Sequence, residues 1–511
     1  MTWSPWVNCL ISAALWQAAC SPAPPVQVLG DSTRLARDKS SPRDSAFFDD
    51  ERVTLRAARG ETLGLQVRIS DARERTVQLD LPSEIAMVSG FSVASLLVEE
   101  PSSEMYGVND GPGRYPDPLT PEVGEIRSDD LVYFDVSILQ GAKPGSYKGQ
   151  LRIDDRTIPV VLEVSRARID LTRDPLVWVF YLPKEIARVH GLQDSDDPEL
   201  VAIEERYHQL FRAHGAFLAA DLVPDRFAAR RHLIENVKYW PVAVDETSDE
   251  TITRDVRRWL ELFANSDVTP FAIPIDEPRT RQDKLRAKHI AQVIAQAGGG
   301  RPEFLRGVTD IADPIYGDSM DIYLSPKNFP QTARARQASG ERFWTYNGRP
   351  PSAGSMILDT NGVALRTWGW IAERYGIELW YAWEGLYFSD RYNAGGPTDV
   401  MVDPLTFDER SKRGPEWGNG DGLLAYPGPL PSMRLKALRR GLQDRLLLRE
   451  LVACGGRQTA TRILQEVVPR ALGDARREVS WSLQENDWEK ARQEVLDAIE
   501  IECDDDAQLA R

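Results

Sequence analysis

Histidine and cysteine are scarce in this sequence of 511 residues, which contains five histidines and four cysteines. No HExxH, HxH or paired CxxC motif occurs, so the usual ligand patterns of a zinc hydrolase are missing. The GxSxG turn of serine hydrolases and the GxxxxGK[ST] phosphate loop are absent as well. Acid–base chemistry must therefore come from carboxylates, and we expect neither a metal nor another cofactor.

Basic runs and long internal apolar segments are also missing. The chain has 62 Lys and Arg against 78 Asp and Glu, which gives a formal net charge of −16 at pH 7. A nucleic-acid surface needs clustered positive charge, so we expect no nucleic-acid partner. No internal stretch reaches the roughly 20 apolar residues that a membrane-spanning helix requires.

The N-terminus resembles an export signal. Residues 7–20 are apolar and end in small residues before Cys20. This ending is similar to the cleavage site of bacterial lipoproteins, so residues 1–20 are predicted to be a signal peptide and Cys20 the lipidated residue. Residues 21–45 are rich in proline, serine and charge, and they are predicted to form a flexible linker. We expect an exported protein, either a lipoprotein of the cell envelope (periplasmic or outer-membrane face) or a secreted protein, with the membrane as a partner only through the lipid anchor.

Hydrophobic patterns predict the structural class of the segments that precede and follow the central part of the chain. Residues 46–168 alternate apolar and polar side chains, with glycine breaks, which predicts a β-sandwich. Residues 101–125 lack this alternation and are expected to form a loop that reaches toward a neighbouring domain.

Residues 456–511 are predicted to be a C-terminal helical segment. If Cys20 is lipidated, Cys454 and Cys503 are the other two cysteines of the mature chain. The sequence leaves open whether they form a disulfide.

Residues 169–455 combine short apolar runs with amphipathic helical patterns. The alternation of strand and helix is typical of parallel βαβ units, and eight runs predict an α/β fold with a (β/α)8 barrel of the TIM type. A doubly wound sheet is the alternative, but no glycine-rich phosphate turn follows the first run. Ser432 is predicted to be the N-cap of a long helix. The eight runs are residues 176–182, 216–223, 239–244, 270–275, 304–311, 320–325, 342–347 and 377–383.

The sharpest local feature is FAIPIDEPRT, in which a predicted strand ends directly before Asp276 and Glu277. Active sites of (β/α)8 barrels are built at the carboxyl ends of the strands, so this pair is a candidate catalytic site. Two adjacent carboxylates repel each other, and we expect the pKa of one of them to be raised. The structural alternative is an acidic pair at the N-terminus of the helix predicted over residues 280–297.

Aromatic residues accompany several other predicted strand ends. Aromatic faces stack on the C–H faces of sugar rings while carboxylates bind sugar hydroxyls, so this supply favours a carbohydrate partner. Side chains alternate along a strand, and about half of these aromatics must therefore point away from the barrel mouth. The candidate substrate-binding residues are Trp178, Tyr181, Asp321, Trp344, Tyr346, Trp383, Glu384, Trp417 and Tyr426.

Three segments together resemble the catalytic domain of glycoside hydrolase family 123. They are FAIPIDEP, YAWEGLYF and the block GNGDGLLAYPGPLPSMRLKALRRGLQDRLLLREL, of which the last is the most specific. The resemblance extends over about residues 50–460 and includes the order of sandwich and barrel. It implies a retaining β-N-acetylgalactosaminidase in which the substrate's own 2-acetamido oxygen attacks the anomeric carbon. It also implies that Glu277 is the general acid and then the base, and that Asp276 orients the acetamido group and stabilises the positive charge.

The resemblance predicts an exo-acting glycoside hydrolase for terminal β-linked 2-acetamido sugars, and two alternatives remain beside it. Glu384 follows the eighth apolar run as Glu277 follows the fourth, so it is a candidate covalent nucleophile toward sugars without the acetamido group. The second alternative is a surface-anchored glycan-binding protein without catalytic activity, because a fold alone does not establish a function.

Overall fold

The fold consists of an N-terminal β-sandwich, a barrel of parallel strands and a group of C-terminal helices. The predicted signal peptide and Cys20 lie outside the residues that the computed structural model of the protein describes. The described residues are 26–34, 44–69, 75–122, 126–128, 131–173, 175–234, 236–298, 303–327, 340–390, 396–410 and 416–503.

The sandwich is built from ten strands in two five-stranded sheets, with the orders β1-β3-β8-β5-β6 and β2-β10-β9-β4-β7. Apolar side chains of both sheets, such as Leu55 and Leu65, are fully buried in one shared core. This arrangement agrees with the sandwich predicted for residues 46–168. The strands are Val26–Gly30 (β1), Val53–Arg59 (β2), Thr62–Ile69 (β3), Arg75–Asp80 (β4), Ala86–Val98 (β5), Gly113–Glu122 (β6), Ile126–Ser128 (β7), Leu131–Ile138 (β8), Gly145–Ile153 (β9) and Arg156–Arg168 (β10).

Two parts of this region differ from the sequence prediction. Strand β1 falls within the predicted linker 21–45, yet it is buried and pairs antiparallel with β3. Its five residues are too few to stand out from the polar stretch around them. Strand β6 falls within the predicted loop 101–125. Its prolines are unfavourable in most strands, so the sequence did not predict a strand there. Because β6 is the last strand of its sheet, the missing N–H groups of its prolines are tolerated there.

The barrel contains eight parallel strands in the order β12-β11-β18-β17-β16-β15-β14-β13. The sheet is nearly closed, with β12 and β13 at its two ends. Each of the eight predicted apolar runs overlaps one of these strands. They are Val177–Phe180 (β11), Ala216–Ala219 (β12), Tyr239–Pro241 (β13), Thr269–Ala272 (β14), Leu305–Val308 (β15), Ile322–Leu324 (β16), Arg342–Tyr346 (β17) and Trp380–Ala382 (β18).

Helices connect most of the barrel strands, but the alternation is incomplete. Between β15 and β16 the described residues contain only a short 3-10 turn, Pro314–Tyr316. The strict (β/α)8 pattern is therefore only partly present. The helices of the barrel are Pro183–Val189 (α1), Pro198–Arg212 (α2), Pro224–Phe227 (α3), Asp249–Phe263 (α4), Arg281–Ala297 (α5) and Thr367–Tyr375 (α6).

The chain continues from the barrel through short strand pairs into three further helices. In Met433–Ala453 (α7) the predicted cap is present, since the Ser432 side chain accepts a hydrogen bond from the Leu435 N–H. A disulfide between Cys454 and Cys503 joins the ends of the first and last of these helices. No helix in the described part of the chain is long and apolar enough to cross a membrane. The remaining elements are Ser389–Asp390 (β19), Gly396–Pro397 (β20), Leu405–Asp408 (β21), Trp417–Asn419 (β22), Ala425–Tyr426 (β23), Leu430–Pro431 (β24), Arg457–Val467 (α8) and Glu485–Glu502 (α9).

Helix α7 joins the sandwich to the barrel through buried ion pairs. Arg434 binds Asp117 of β6 at 2.8 Å, and neither side chain is exposed. Lys436 binds Asp135 of β8 at 2.6 Å, and Arg440 binds the sandwich carboxylate Glu61. Buried charges persist only when they are paired, so these contacts fix the position of one domain on the other. The charged residues of the most family-specific sequence block thus hold the two domains together.

Candidate active site

A cavity of about 1260 Å³ opens at the carboxyl ends of the barrel strands. Trp178 on β11, Phe271 on β14 and Tyr381 on β18 line its floor. The ring centroids of Trp178 and Tyr381 are 4.2 Å apart, and Phe271 meets Trp178 edge-on at 5.3 Å. Pockets for small ligands usually measure about 300–1,000 Å³, so this cavity has room for a sugar and part of the group attached to it.

Asp276 and Glu277 follow the end of β14 after three intervening residues and lie in the cavity wall. The Thr309 hydroxyl, at the end of the neighbouring β15, donates to Asp276 Oδ1 at 2.9 Å and accepts a hydrogen bond from the Glu277 N–H. Glu277 has a φ of +42°, a left-handed conformation that is rare for a residue other than glycine. Strain of this kind persists where the surroundings impose it and clusters at functional positions.

Helix α5 does not explain the acidic pair. The helix begins at Arg281, and its N-cap is Thr280, which forms a capping box with Asp283. Asp276 and Glu277 precede this cap, so they are not part of the first helical turn. The helix cap thus gives no support to the structural alternative for the pair.

The Glu277 carboxylate is held by a residue of a different strand. Tyr346, the last residue of β17, donates its hydroxyl to Glu277 Oε1 at 3.0 Å. Burial and the negative charge of Glu277 raise the pKa of Tyr346 far above its usual value, so Tyr346 remains a neutral donor. Arg279 binds Glu277 Oε2 at 3.0 Å, but its side chain is 84% exposed and solvent screens the contact.

The pKa of Asp276 is raised, as expected for one member of the pair. The main cause is the cavity wall, which limits hydration of the carboxylate, and the charge of Glu277 contributes less. The Thr309 hydrogen bond acts in the opposite direction and lowers the pKa of Asp276. Asp221, in the loop after β12, also lines the cavity, and burial together with the charge of Asp276 raises its pKa. Among the described residues, no three His, Cys, Asp or Glu side chains are arranged to hold a metal ion.

The cavity wall on the far side contains Trp383, Asp421 and Tyr106. Trp383 directly follows β18, which is four strands from β14 in the sheet order and so lies across the barrel from it. Asp421 accepts hydrogen bonds from Trp383 Nε1 at 3.0 Å and from the Tyr106 hydroxyl at 2.6 Å. Tyr106 belongs to the loop between β5 and β6, so the sandwich contributes a side chain to the barrel cavity, as the loop prediction anticipated.

The structure brings five of the predicted site residues to this cavity. They are Asp276, Glu277, Trp178, Tyr346 and Trp383.

Two predicted aromatic residues lie inside the protein, away from the cavity lining. Tyr181 points outward from the barrel and contacts His208 of α2, with 3.3 Å between the hydroxyl and Nε2. Trp344 is fully buried against Phe271 and Tyr239 and so supports the cavity floor from below. Both lie on strand faces that the sequence pattern did not resolve.

Asp321 and Trp417 also lie away from the cavity. Asp321 precedes β16, at the opposite end of the barrel, where both its carboxylate oxygens bind the Arg306 guanidinium at 2.7 Å. Trp417 donates its indole N–H to the Pro101 carbonyl at 2.8 Å and lies under the Arg410 guanidinium. Trp417 therefore supports the loop that carries Tyr106.

Glu384 and Tyr426 are fully buried and do not line the cavity. Tyr426 donates its hydroxyl to Asp117 at 2.6 Å, within the ion-pair contact between sandwich and barrel. Two other residues of the same segment, Tyr381 and Trp383, line the cavity.

Sequence reasoning did not select several cavity residues. Asp221 and Thr309 lie near the carboxyl ends of the predicted runs 216–223 and 304–311, so their position was an available signal. Asp421 lies within the GNGDG turn, whose glycines predict a loop but do not indicate a binding role for the carboxylate. Tyr106 lies in the loop predicted to reach toward a neighbouring domain, but nothing in the sequence singles out its side chain.

Comparison with known proteins supports the family resemblance. Residues 274–451 match the family model described as glycoside hydrolase 123, catalytic domain, and the match begins two residues before Asp276. The predicted resemblance is thereby confirmed for this segment, and with it the prediction of a glycoside hydrolase. No curated protein matches the chain.

One solved structure shows the same overall fold. A family 123 glycoside hydrolase from Clostridium perfringens superposes with a TM-score of 0.66 at 13% identity, over 93% of this chain and 98% of that one. A glycosyl hydrolase family 2 member from Bacteroides cellulosilyticus reaches a TM-score of only 0.27 at 9% identity, over 70% of this chain and 46% of that one. The first similarity establishes the architecture of sandwich and barrel.

Proposed function

Since residues 274–451 match a glycoside hydrolase 123 catalytic domain, we propose that this protein removes terminal β-linked 2-acetamido sugars by substrate-assisted, retaining catalysis. We expect N-acetylgalactosamine to be the preferred sugar. The observation that carries the proposal is the different setting of the two adjacent carboxylates. Thr309 and the cavity wall hold Asp276, while Tyr346 holds Glu277 from another strand.

In the first step Glu277 donates its proton to the glycosidic oxygen. The acetamido oxygen of the substrate attacks the anomeric carbon, the bond from that carbon to the leaving oxygen breaks, and an oxazolinium-type intermediate forms. The Asp276 carboxylate accepts a hydrogen bond from the acetamido N–H and balances the positive charge that develops. A preoriented carboxylate in a poorly hydrated site is effective at such stabilisation.

In the second step Glu277 acts as the base. It takes a proton from a water molecule whose oxygen attacks the anomeric carbon, and the acetamido group is restored with retained configuration. The sugar ring would stack on the floor formed by Trp178 and Tyr381, because aromatic faces match the C–H faces of pyranoses. Side chains on adjacent residues cannot flank a glycosidic bond as acid and nucleophile, but they suit one acid and one orienting carboxylate.

The position of Glu384 argues against the covalent alternative. Glu384 is fully buried and does not line the cavity, whereas a nucleophile must reach the anomeric carbon. The related structure from Clostridium perfringens is described in terms of glycolipid glycan hydrolysis, which supports glycan ends as the substrate class.

We propose export on two grounds. The first is the predicted signal peptide with Cys20, and the second is the disulfide between Cys454 and Cys503. Disulfides persist mainly in oxidising compartments. We also propose a (β/α)8 barrel in which, within the described residues, the connection between β15 and β16 is reduced to a turn.

The test is hydrolysis of three 4-nitrophenyl glycosides by the protein from residue 21 onward: the β-N-acetylgalactosaminide, the β-N-acetylglucosaminide and the β-galactoside. We expect release only from substrates with the acetamido group. Glu277→Gln should lower the rate by roughly 10²- to 10⁴-fold, the usual contribution of a general acid. Glu378→Gln, an exposed residue at the other end of the barrel, serves as the control. Equal turnover of the plain galactoside would contradict the proposal.

A further inference from the structure

Asp421 is a carboxylate in the cavity wall whose two oxygens each accept one hydrogen bond from a side chain. The residue is only 4% exposed, yet it lines the cavity. Tyr106 donates to Oδ2 and Trp383 donates to Oδ1. An ionised carboxylate can accept about four hydrogen bonds, so even with the contribution of the Gly422 backbone N–H it retains the capacity for one more.

The two donors are themselves held in place. Phe407 packs edge-on against Tyr106 at 6.3 Å and against Trp383 at 6.0 Å between ring centroids. The backbone N–H of Trp383 donates to the Asn347 side chain at 2.9 Å. Asn347 directly follows Tyr346, the residue that binds Glu277. A continuous set of contacts therefore joins the Asp421 wall to the catalytic wall, and the distance between the two walls is fixed.

The proposed chemistry sets the orientation of a pyranose bound between these walls. Its C1 and C2 substituents must face Asp276 and Glu277 on the β14 side. The hydroxyls at C4 and C6 are on the opposite edge of the ring, and they would face the β18 side, where Asp421 lies. Hydroxyl donors are the partners that a carboxylate with spare acceptor capacity requires.

We propose that Asp421, positioned by Tyr106 and Trp383, binds the C4 or C6 hydroxyl of the terminal sugar and so determines which hexosamine this enzyme accepts. The inference rests on the proposed function for the orientation of the sugar. Because Tyr106 comes from the loop between β5 and β6, the specificity site is complete only with the sandwich in place. The sandwich then contributes to substrate selection in addition to bracing the barrel.

The experiment measures binding, which does not depend on turnover. N-acetylgalactosamine and its 4-deoxy and 6-deoxy analogues are titrated calorimetrically into the protein from residue 21 onward and into its Asp421→Asn variant. We expect the wild-type protein to lose roughly tenfold or more in affinity for at least one deoxy analogue, as for a hydrogen bond to a charged group. Asp421→Asn should bind the parent sugar correspondingly less tightly and show no further loss with that analogue.

Two further variants keep the result interpretable. Tyr106→Phe keeps the ring but removes the donor to Asp421, so it should reduce the deoxy penalty in the same direction even if Asp421→Asn folds poorly. Asp359→Asn is the matched control, because Asp359 is a buried carboxylate that binds Ser102 in the same loop region but does not line the cavity. It should retain the full deoxy penalty.

Equal deoxy penalties in the wild-type protein and Asp421→Asn would overturn the inference, as would the absence of any penalty or of any binding by the wild-type protein. Failure of the proposed function gives a different result. Galactose would then bind as tightly as N-acetylgalactosamine, with the same dependence on Asp421, which would support the hydroxyl contact but not the role of the acetamido group.

Discussion

The Thr309 hydroxyl is the contact whose removal tests the catalytic arrangement most selectively. Thr309→Val replaces the hydroxyl with a methyl group of similar size, so the shape of the wall is preserved. The change removes the donor to Asp276 Oδ1 and the acceptor of the Glu277 N–H. Both carboxylate residues remain, and any effect arises from their position and charge.

The size of the effect follows from the bond to Asp276. A hydrogen bond to a charged group contributes about 1.5–3 kcal/mol, so kcat/KM should fall by roughly 10- to 100-fold. The same bond lowers the pKa of Asp276, and its loss should raise that pKa further, by about one unit for each 1.4 kcal/mol. Asp276 must be ionised to stabilise positive charge, so activity is lost as the pH falls through its pKa.

The assay is the pH profile of kcat/KM for the 2-acetamido substrate, which reports the free enzyme. In the wild-type protein the acidic limb should lie above the ordinary aspartate pKa of about 3.9, because the cavity wall raises the pKa of Asp276. In Thr309→Val that limb should move to higher pH, and Thr309→Ser should restore it. An unchanged limb in Thr309→Val, or a serine variant no better than the valine variant, would refute the reasoning.

Three predictions concern stability. Arg434→Met should lower the free energy of unfolding by about 3–5 kcal/mol in denaturant titrations, because it leaves Asp117 buried without its cation; an effect below 1 kcal/mol would contradict this. Replacing Cys454 with serine opens a cross-link between positions 49 residues apart and should cost at most about 4 kcal/mol, with no further loss on adding a reductant. Arg439 and Lys436 hold the pKa of Asp135 below its usual range. The ionised Asp135 therefore stabilises the fold at pH values above its unfolded pKa of about 3.9, and this stabilisation is lost as the pH falls through its lower folded pKa. Asp135→Asn should therefore flatten the acid side of a plot of Tm against pH.

The barrel strands were predictable because each is a short apolar run that ends at a polar or turn residue. Burial of both faces of a parallel strand forces such a composition, and the resulting runs stand out between amphipathic helices. The proposed catalytic pair was predictable for the same reason, since Asp276 and Glu277 directly follow one of these runs. Strand β1 was missed because a single edge strand of five residues carries too little pattern.

The faces of the strands were not predictable from one sequence. Trp178 and Tyr181 lie three residues apart, so they are expected on opposite faces. Trp178 lines the cavity and Tyr181 contacts helix α2, and the sequence does not show which residue takes which face. A shift of one residue in register exchanges the two faces, and the sequence contains nothing that fixes the register. Asp321 shows a related error, because it precedes its strand instead of following it and so lies at the wrong end of the barrel.

The far wall of the cavity depends on contacts between distant segments. Tyr106 and Asp421 are 315 positions apart and meet only because the sandwich docks on the barrel through the ion pairs of α7. The sequence block around Arg434 was recognised as family-specific, but its role in docking became apparent only when its partners, Asp117 and the other sandwich carboxylates, were located.

The central claim is that the acetamido oxygen of the substrate is the nucleophile. It is tested most directly with 4-nitrophenyl glycosides whose acetamido methyl group carries zero, one, two or three fluorine atoms. Each fluorine withdraws electron density from the acetamido oxygen, so the account predicts that kcat/KM falls steeply along the series. A flat series would show that the oxygen does not attack the anomeric carbon and would contradict the account.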